Sequence, residues 1–321
     1  KANGQVKYGY VYGRSLQEVR MKLYPLKVRY QSIQNTQGEL CIPLQEWGNQ
    51  WLLQIQSSVK PATFANYQYK LTKYVFPFLG SQQLNELTSK DGQEMVQQWS
   101  RRGLKVSTMK VILQIVCQCL NRAIKMMYLK ENPFTFIQLP KEKKRKIPAL
   151  SKKEQQRLEK SALKEGGVRG LPTYLALYTG LRIGEIAALR WSDIDFERNV
   201  IQVSHTYQRL ALSVGKRKTQ LLYDTAKTEA AVRIIPFGSK LRKLLLQQKR
   251  NAKSRYVFSH KNHPIEPRLL TYHFHRLREQ AGIKGIHFHQ LRHTFATRCL
   301  EAQSDILSVS AMLGHTSTRL T

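Results

Sequence analysis

The sequence is short of acid. Its 321 residues carry 21 Asp and Glu against 53 Lys and Arg, a formal net charge of +32, and such an excess repels itself unless a polyanion neutralises it. Nucleic acid is the partner this implies, because solubility alone needs far less charge. Long apolar runs are missing too: none approaches the roughly 20 residues of a membrane-spanning helix, so no membrane partner is expected. Cysteine is scarce, with Cys41, Cys117, Cys119 and Cys299 scattered along the chain. Cys117 and Cys119 lie in an apolar helical stretch with no His or Cys pair at zinc-like spacing nearby, so all four read as buried thiols of a reducing cytoplasm rather than as metal ligands. No signal peptide opens the chain, and Lys1 in place of an initiator Met points to a fragment. At this length two or more domains are expected.

What is there is mostly helical. Residues Lys7 to Arg14 alternate as a strand would, and Ser15 can cap a helix through Tyr24, followed by a polar linker from Gln31 to Glu39. Four helical stretches follow without a convincing strand: Leu44 to Ser58, Pro61 to Phe78, Thr88 to Trp99, and Ser107 to Leu129, where Asn132-Pro133 ends the series. Lys141 to Lys153 holds seven basic residues and one acid around a Pro. It reads as a linker, either simply solvated or acting as a strap around a duplex. Ser151 and Glu154 then form a capping box ahead of Leu158. Beyond it a helix to about Lys164 and another from Pro172 through Leu189 are expected, then strands near Val200 to Thr206 and Arg233 to Pro236, then helices to the end. The fold class is mainly α with a small antiparallel sheet (α+β). The domains expected are 1–38, an N-terminal module remnant and linker; 39–138, a helical domain; 139–150, the basic linker; and 151–321, a mixed domain.

Three local motifs could carry chemistry. In Tyr178-Thr-Gly-Leu-Arg182-Ile-Gly-Glu185 an Arg on a helical turn has a carboxylate three positions on, which by itself is an ordinary surface pair. In His289-Gln-Leu-Arg292-His293 a His and an Arg share one helical face among Phe288, Leu291 and Phe295. By itself that His is more simply a hydrogen-bonded structural residue. Met312-Leu-Gly-His315 adds a His straight after a Gly in the turn that closes a helix. Lys227 falls between an apolar run, Leu221 to Tyr223, and the strand Val232 to Phe237. Each is weak alone, but together they form a constellation.

That constellation resembles the active-site signature of tyrosine recombinases, the lambda-type integrases. TGLRIGE, AKTEAAVRIIPF, HQLRHTFAT and MLGHTS carry the resemblance, which covers the chain from Ser151 onward and, more loosely, the helical domain. KPATFANYQYKL at residues 60–71 is similar to that domain's opening helix, and Lys7 to Tyr24 to the end of an arm-binding module. Integrases of conjugative transposons or phages are the nearest type. The resemblance implies a DNA strand transferase with Arg182, Lys227, His289, Arg292 and His315 catalytic and Glu185 orienting Arg182. Thr63, Tyr67, Lys141, Lys143, Lys144, Arg145 and Lys146 would contact DNA. It implies no cofactor and no metal, and a nucleophilic tyrosine that this chain lacks and that is expected beyond Thr321. The implied partners are double-stranded DNA, other copies in a synaptic homo-tetramer or a dimer on one duplex, and an excisionase or host DNA-bending protein; the implied setting is a bacterial cytoplasm, at the nucleoid. A catalytically inactive DNA-binding regulator of the same fold and a type IB topoisomerase are the alternatives. The His at 289, where topoisomerases commonly carry Lys, weighs against the latter, and the lack of clustered carboxylates weighs against a metal nuclease.

Overall fold

The computed structural model describes residues 11–13, 15–35, 42–142, 149–211, 219–225 and 232–314. It divides into two compact units, Lys1–Lys143 and Lys144–Thr321.

In the first unit α1 spans Leu16–Asn35, and the Glu18 backbone N–H donates to Ser15 Oγ at 3.2 Å, the cap expected of that serine. The helix does not stop at Tyr24. It continues through Pro25 into the segment expected to be a polar linker, because Lys, Arg and Gln are good helix formers whether or not they build an apolar face. Of the strand expected at Lys7 to Arg14, residues 11–13 are described and form no strand, and the rest lies outside the described residues.

Helices α2 (Leu44–Ile55), α3 (Pro61–Tyr74), α4 (Phe76–Leu79), α5 (Ser89–Arg101) and α6 (Val106–Lys125) form a bundle. Trp47, Trp51, Leu71, Val75, Met95, Trp99, Ile112, Val116 and Leu120 fill its core. The two most deeply buried indoles have partners for their N–H: Trp47 donates to the Cys119 carbonyl at 3.1 Å and Trp99 to that of Tyr74 at 2.9 Å, which removes the penalty of burying an unpaired donor. The stretch Pro61 to Phe78 is two helices, not one. Pro77 cannot donate to the preceding turn, and its ring disfavours helical geometry just before it, so the chain restarts with the proline in the first turn of α4. At the far end α6 stops short of Leu129, where Met127 adopts a left-handed φ of 65° and Tyr128 turns back onto Trp47, ring centroids 5.0 Å apart. Among the described cysteines only Cys119 is fully buried, while Cys117 and Cys299 are half-buried; Cys41 lies outside the described residues.

The second unit opens with α7 (Lys152–Glu165), whose Ser151–Glu154 capping box forms as expected: Ser151 N–H to Glu154 Oε2 at 2.9 Å and Glu154 N–H to Ser151 Oγ at 3.2 Å. The helix expected over Pro172 to Leu189 is instead α8 (Gly167–Thr179) and α9 (Ile183–Ala188), separated by Gly180 at φ 63°. Strands β1 (Ile194–Asp195), β2 (Val200–Val203) and β5 (Arg233–Pro236) make an antiparallel sheet in the order β1-β2-β5, with Val203 opposite Arg233. The strand expected through Thr206 breaks at Ser204. Its continuation is β3 (His205–Ala211), paired in a separate hairpin with β4 (Thr219–Thr225), Tyr207 opposite Tyr223. Leu221 to Tyr223 is therefore part of a strand.

After α10 (Ser239–Arg250) comes another element the periodicity did not announce, the small hairpin β6 (Ser259–His260) and β7 (His263–Pro264). Helices α11 (Pro267–Gln280), α12 (His289–Glu301) and α13 (Ile306–Leu313) follow. Tyr174, Leu175, Ile186, Ile201, Ile235, Phe258, Phe274 and Leu291 lie in one core, so α8, the sheet, α11 and α12 converge on it. Among the described residues no helix is long and apolar enough to cross a membrane.

Candidate active site

The left-handed Gly180 sets the geometry of the first motif. It ends α8, turns the chain through Leu181, and leaves Arg182 as the residue before α9, with φ −73° and ψ 150°. Arg182 is thus not on a helical turn. Glu185, in the first turn of α9, accepts the Arg182 backbone N–H at 2.8 Å and its Nη1 at 2.8 Å. An ordinary surface pair is also excluded, since Glu185 is only 8% exposed and Arg182 39%. A buried carboxylate needs more than one half-exposed partner. The second is Arg233 at the start of β5, itself 4% exposed, which donates through Nη1 at 3.0 Å and Nη2 at 2.8 Å. Burial alone would raise the Glu185 pKa; the Arg233 fork, the Arg182 backbone N–H and the Arg182 charge together outweigh it and hold the carboxyl below its usual range.

The second motif lies on α12. Arg292, 3% exposed, donates through Nη1 to the Gly180 carbonyl at 2.9 Å and through Nη2 to the Leu313 carbonyl. Burial first, then the neighbouring Arg182 charge, lower its pKa, yet a guanidinium stays protonated. An anion brought beside it would offset that cost. His289, one turn earlier and solvent-accessible, meets His293 edge to face at 5.1 Å. Desolvation, then His293, Arg292 and Arg182, lower the His289 pKa. A neutral imidazole able to accept a proton results.

Both motifs meet at the end of α13, which Gly314 closes in the left-handed conformation at φ 63°. Three successive carbonyls there each receive a guanidinium: Met312 from Arg233 Nε at 2.6 Å, Leu313 from Arg292, and Gly314 from Arg182 Nη2 at 3.4 Å. A helix C-terminus has unpaired carbonyls and the negative end of the helix dipole, so it suits cations. Among the described residues the one carboxylate beside these three guanidiniums is Glu185. That surplus, with Arg182 and His289 reachable from solvent, makes an anion site.

His315 follows directly on Gly314 and lies outside the described residues, as do Lys227, Lys143, Lys144, Arg145 and Lys146. Lys141 is described and exposed. Thr63 and Tyr67 sit one turn apart on α3, but Tyr67 stacks on Trp51, 5.8 Å between centroids and 10° between planes, so much of its ring serves the core of the helical unit. Arg233 and Gly180 are the residues that the sequence reading missed. A signal for Arg233 was present, since strand alternation turns it to the same side as Ile235; a charge on an inward position asks for a partner.

The phage integrase family matches residues 138–321, and the SAM-like N-terminal domain of phage integrases matches 44–100. The chain belongs to the phage integrase family and is a tyrosine recombinase, an enzyme class of site-specific DNA recombination. It is 27% identical over 297 residues to a XerC-like tyrosine recombinase of Caldanaerobacter subterraneus subsp. tengcongensis, covering 84% of this chain and 75% of that one. The ICEBs1 integrase of Bacillus subtilis is 21% identical over 296 residues, at 84% and 75% coverage. The integrase of transposon Tn1549, solved with a circular-intermediate DNA, superposes with a TM-score of 0.74 at 22% identity, covering 87% of this chain and 93% of that one. A lambda integrase dimer on a core site gives 0.67 at 21% identity, covering 87% and 97%.

Proposed function

We propose that the protein cuts and rejoins DNA through a 3′-phosphotyrosyl intermediate, for the integration and excision of a mobile element. The observation that carries this reading is the meeting of Arg182 and Arg292, distant in sequence, at consecutive carbonyls of one helix end beside His289. When a tyrosine oxygen attacks the phosphorus in line, negative charge grows on the nonbridging oxygens. Two fixed guanidinium forks brace that charge without reorganising. His289, neutral and adjacent, accepts the tyrosine proton or hydrogen-bonds the phosphate, His315 binds the phosphate, and Lys227 gives a proton to the departing 5′ oxygen. The nucleophile is a tyrosine hydroxyl. Because the phosphotyrosyl ester keeps the energy of the broken bond, a free 5′ hydroxyl can reverse the step without cofactor.

In this reading the helical unit, 39–138, grips core DNA with Thr63 and Tyr67 near the duplex. The basic stretch 139–150, with Lys141, Lys143, Lys144, Arg145 and Lys146, straps it, and residues 1–38 close an arm-binding module. Four protomers hold two duplexes, with a dimer on one duplex and an excisionase or host DNA-bending protein as accessories, in the cytoplasm at the nucleoid. The test is incubation of the full-length protein with labelled duplexes from the element's ends. A denaturant-resistant protein–DNA adduct that vanishes when the tyrosine is changed to Phe is expected; binding without any adduct would sink the enzymatic reading and leave a DNA-binding regulator.

A further inference from the structure

Arg233 is buried, its side chain only 4% exposed, so it has another task than meeting DNA. Its planar guanidinium joins two segments far from it in sequence, Glu185 at 48 residues and Met312 at 79. One rigid fork thereby fixes both the carboxylate that orients Arg182 and the first of the three carbonyls at the end of α13. A buried ion pair is a poor means of stabilising a core, because desolvation offsets most of the attraction. What it does well is hold a geometry.

We propose that Arg233 is a positioning residue of the recombination site: through Glu185 it sets Arg182, and through Met312 it sets the closing turn of α13, whose next two carbonyls hold Arg292 and Arg182. This rests on the recombinase reading above. Among the described residues, the charged and titratable groups around Glu185 besides Arg182 and Arg233 are Arg292 on α12 and, lining a small cavity beside it, Asp193 and His205. Without Arg233, Glu185 keeps its burial but only one direct guanidinium, so its carboxyl takes up protons at higher pH and loosens its hold on Arg182.

The experiment uses the full-length recombinase carrying Arg233→Lys or Arg233→Gln. Single-turnover adduct formation on a nicked duplex is followed across pH, with DNA affinity, thermal unfolding and backbone amide exchange measured alongside. Arg233→Gln should slow cleavage about 100-fold near neutrality, the cost of a misplacement of roughly 1 Å, and recover as pH rises. Arg233→Lys keeps a charge beside Glu185 but cannot span both partners, so it should be slower than the parent with the parent's pH profile. Amides of Ile306–Leu313 should exchange faster in both variants while those of α7 and α8 stay protected. In a Glu185→Gln background the new pH limb should be absent.

Full activity of Arg233→Lys overturns the proposal. So does a loss in Arg233→Gln that tracks unfolding with an unchanged pH profile, or a pH limb that survives Glu185→Gln and so belongs to His205 or Asp193. Should Arg233→Gln fail to fold, Arg233→Lys decides. Should the parent form no adduct on any duplex, it is the recombinase reading that fails, and unchanged exchange at α13 would then dispose of the role of Arg233 as well.

Discussion

Replacing Gly180 with Ala should damage both the stability of the second unit and the seat of Arg292. Gly180 sits at φ 63°, and a Cβ there would come within 2.7 Å of Phe295 Cδ1 and 2.8 Å of Leu313 Cδ2. The left-handed conformation costs an L-residue about 1–2 kcal/mol, and forcing a methyl into a packed interior costs about 1–3 kcal/mol. Together about 2–5 kcal/mol is expected, against a typical domain stability of about 5–15 kcal/mol. For a unit of this size that corresponds to a fall in Tm on the order of 10 °C. The chemistry suffers separately, because the Gly180 carbonyl accepts Arg292 Nη1 at 2.9 Å and the two side chains pushed aside belong to α12 and to the residue whose carbonyl takes Arg292 Nη2. Thermal melting and adduct formation on the same preparation separate the effects. Adding Phe295→Leu should relieve the crowding and leave the backbone strain, recovering part of the Tm. If Gly180→Ala melts and cleaves as the parent does, the account of this turn is wrong.

Glu185→Gln should destabilise the unit at neutral pH by about 3–5 kcal/mol, since it leaves buried guanidiniums without their carboxylate. The folded pKa of Glu185 lies below its unfolded value, so its contribution is complete above an unfolded pKa of about 4.3 and is lost as pH falls through the lower folded value. The gap between parent and variant, read by urea unfolding, should therefore narrow below about pH 4; a constant gap would refute the assignment. Arg292→Ala in the full-length enzyme should leave DNA affinity nearly intact and abolish cleavage, because its charge matters most when the phosphate gains charge. Equal losses in filter binding and in adduct yield would make it an ordinary phosphate contact. Lys227→Ala should cleave normal DNA slowly yet recover on a substrate with sulfur at the 5′ bridging position, since a thiolate with a parent pKa near about 8.5 needs no proton to depart. An equal defect on both substrates would remove Lys227 from the general-acid role.

What the sequence by itself determined was whatever depends on residues close along the chain. The Ser151–Glu154 box starts α7, the Ser15 cap starts α1, and the Gly at 314 closes α13, because each needs only a side chain or a missing Cβ within a few positions. The charge of +32 pointed to a polyanion before any fold was known. Shared apolar periodicity, however, hid the break between α8 and α9. A glycine inside a periodic stretch is tolerated in a helix, and only the packing of Phe295 and Leu313 against Gly180 makes the left-handed turn the better solution.

The β3–β4 hairpin was obscured likewise, as Arg209 on the face of Tyr207, and Leu210 and Leu222 on the other, interrupt the alternation and its pairing is made across the chain. Arg182 and Glu185 looked like a surface pair until β5 brought Arg233 against them. Tertiary structure alone decided that Arg182, Arg233 and Arg292 gather on the last carbonyls of α13, with Glu185 and the Gly180 carbonyl holding them there. The physical reason is that a buried charge persists only where partners from distant segments surround it, and no local rule of sequence says which segments those are.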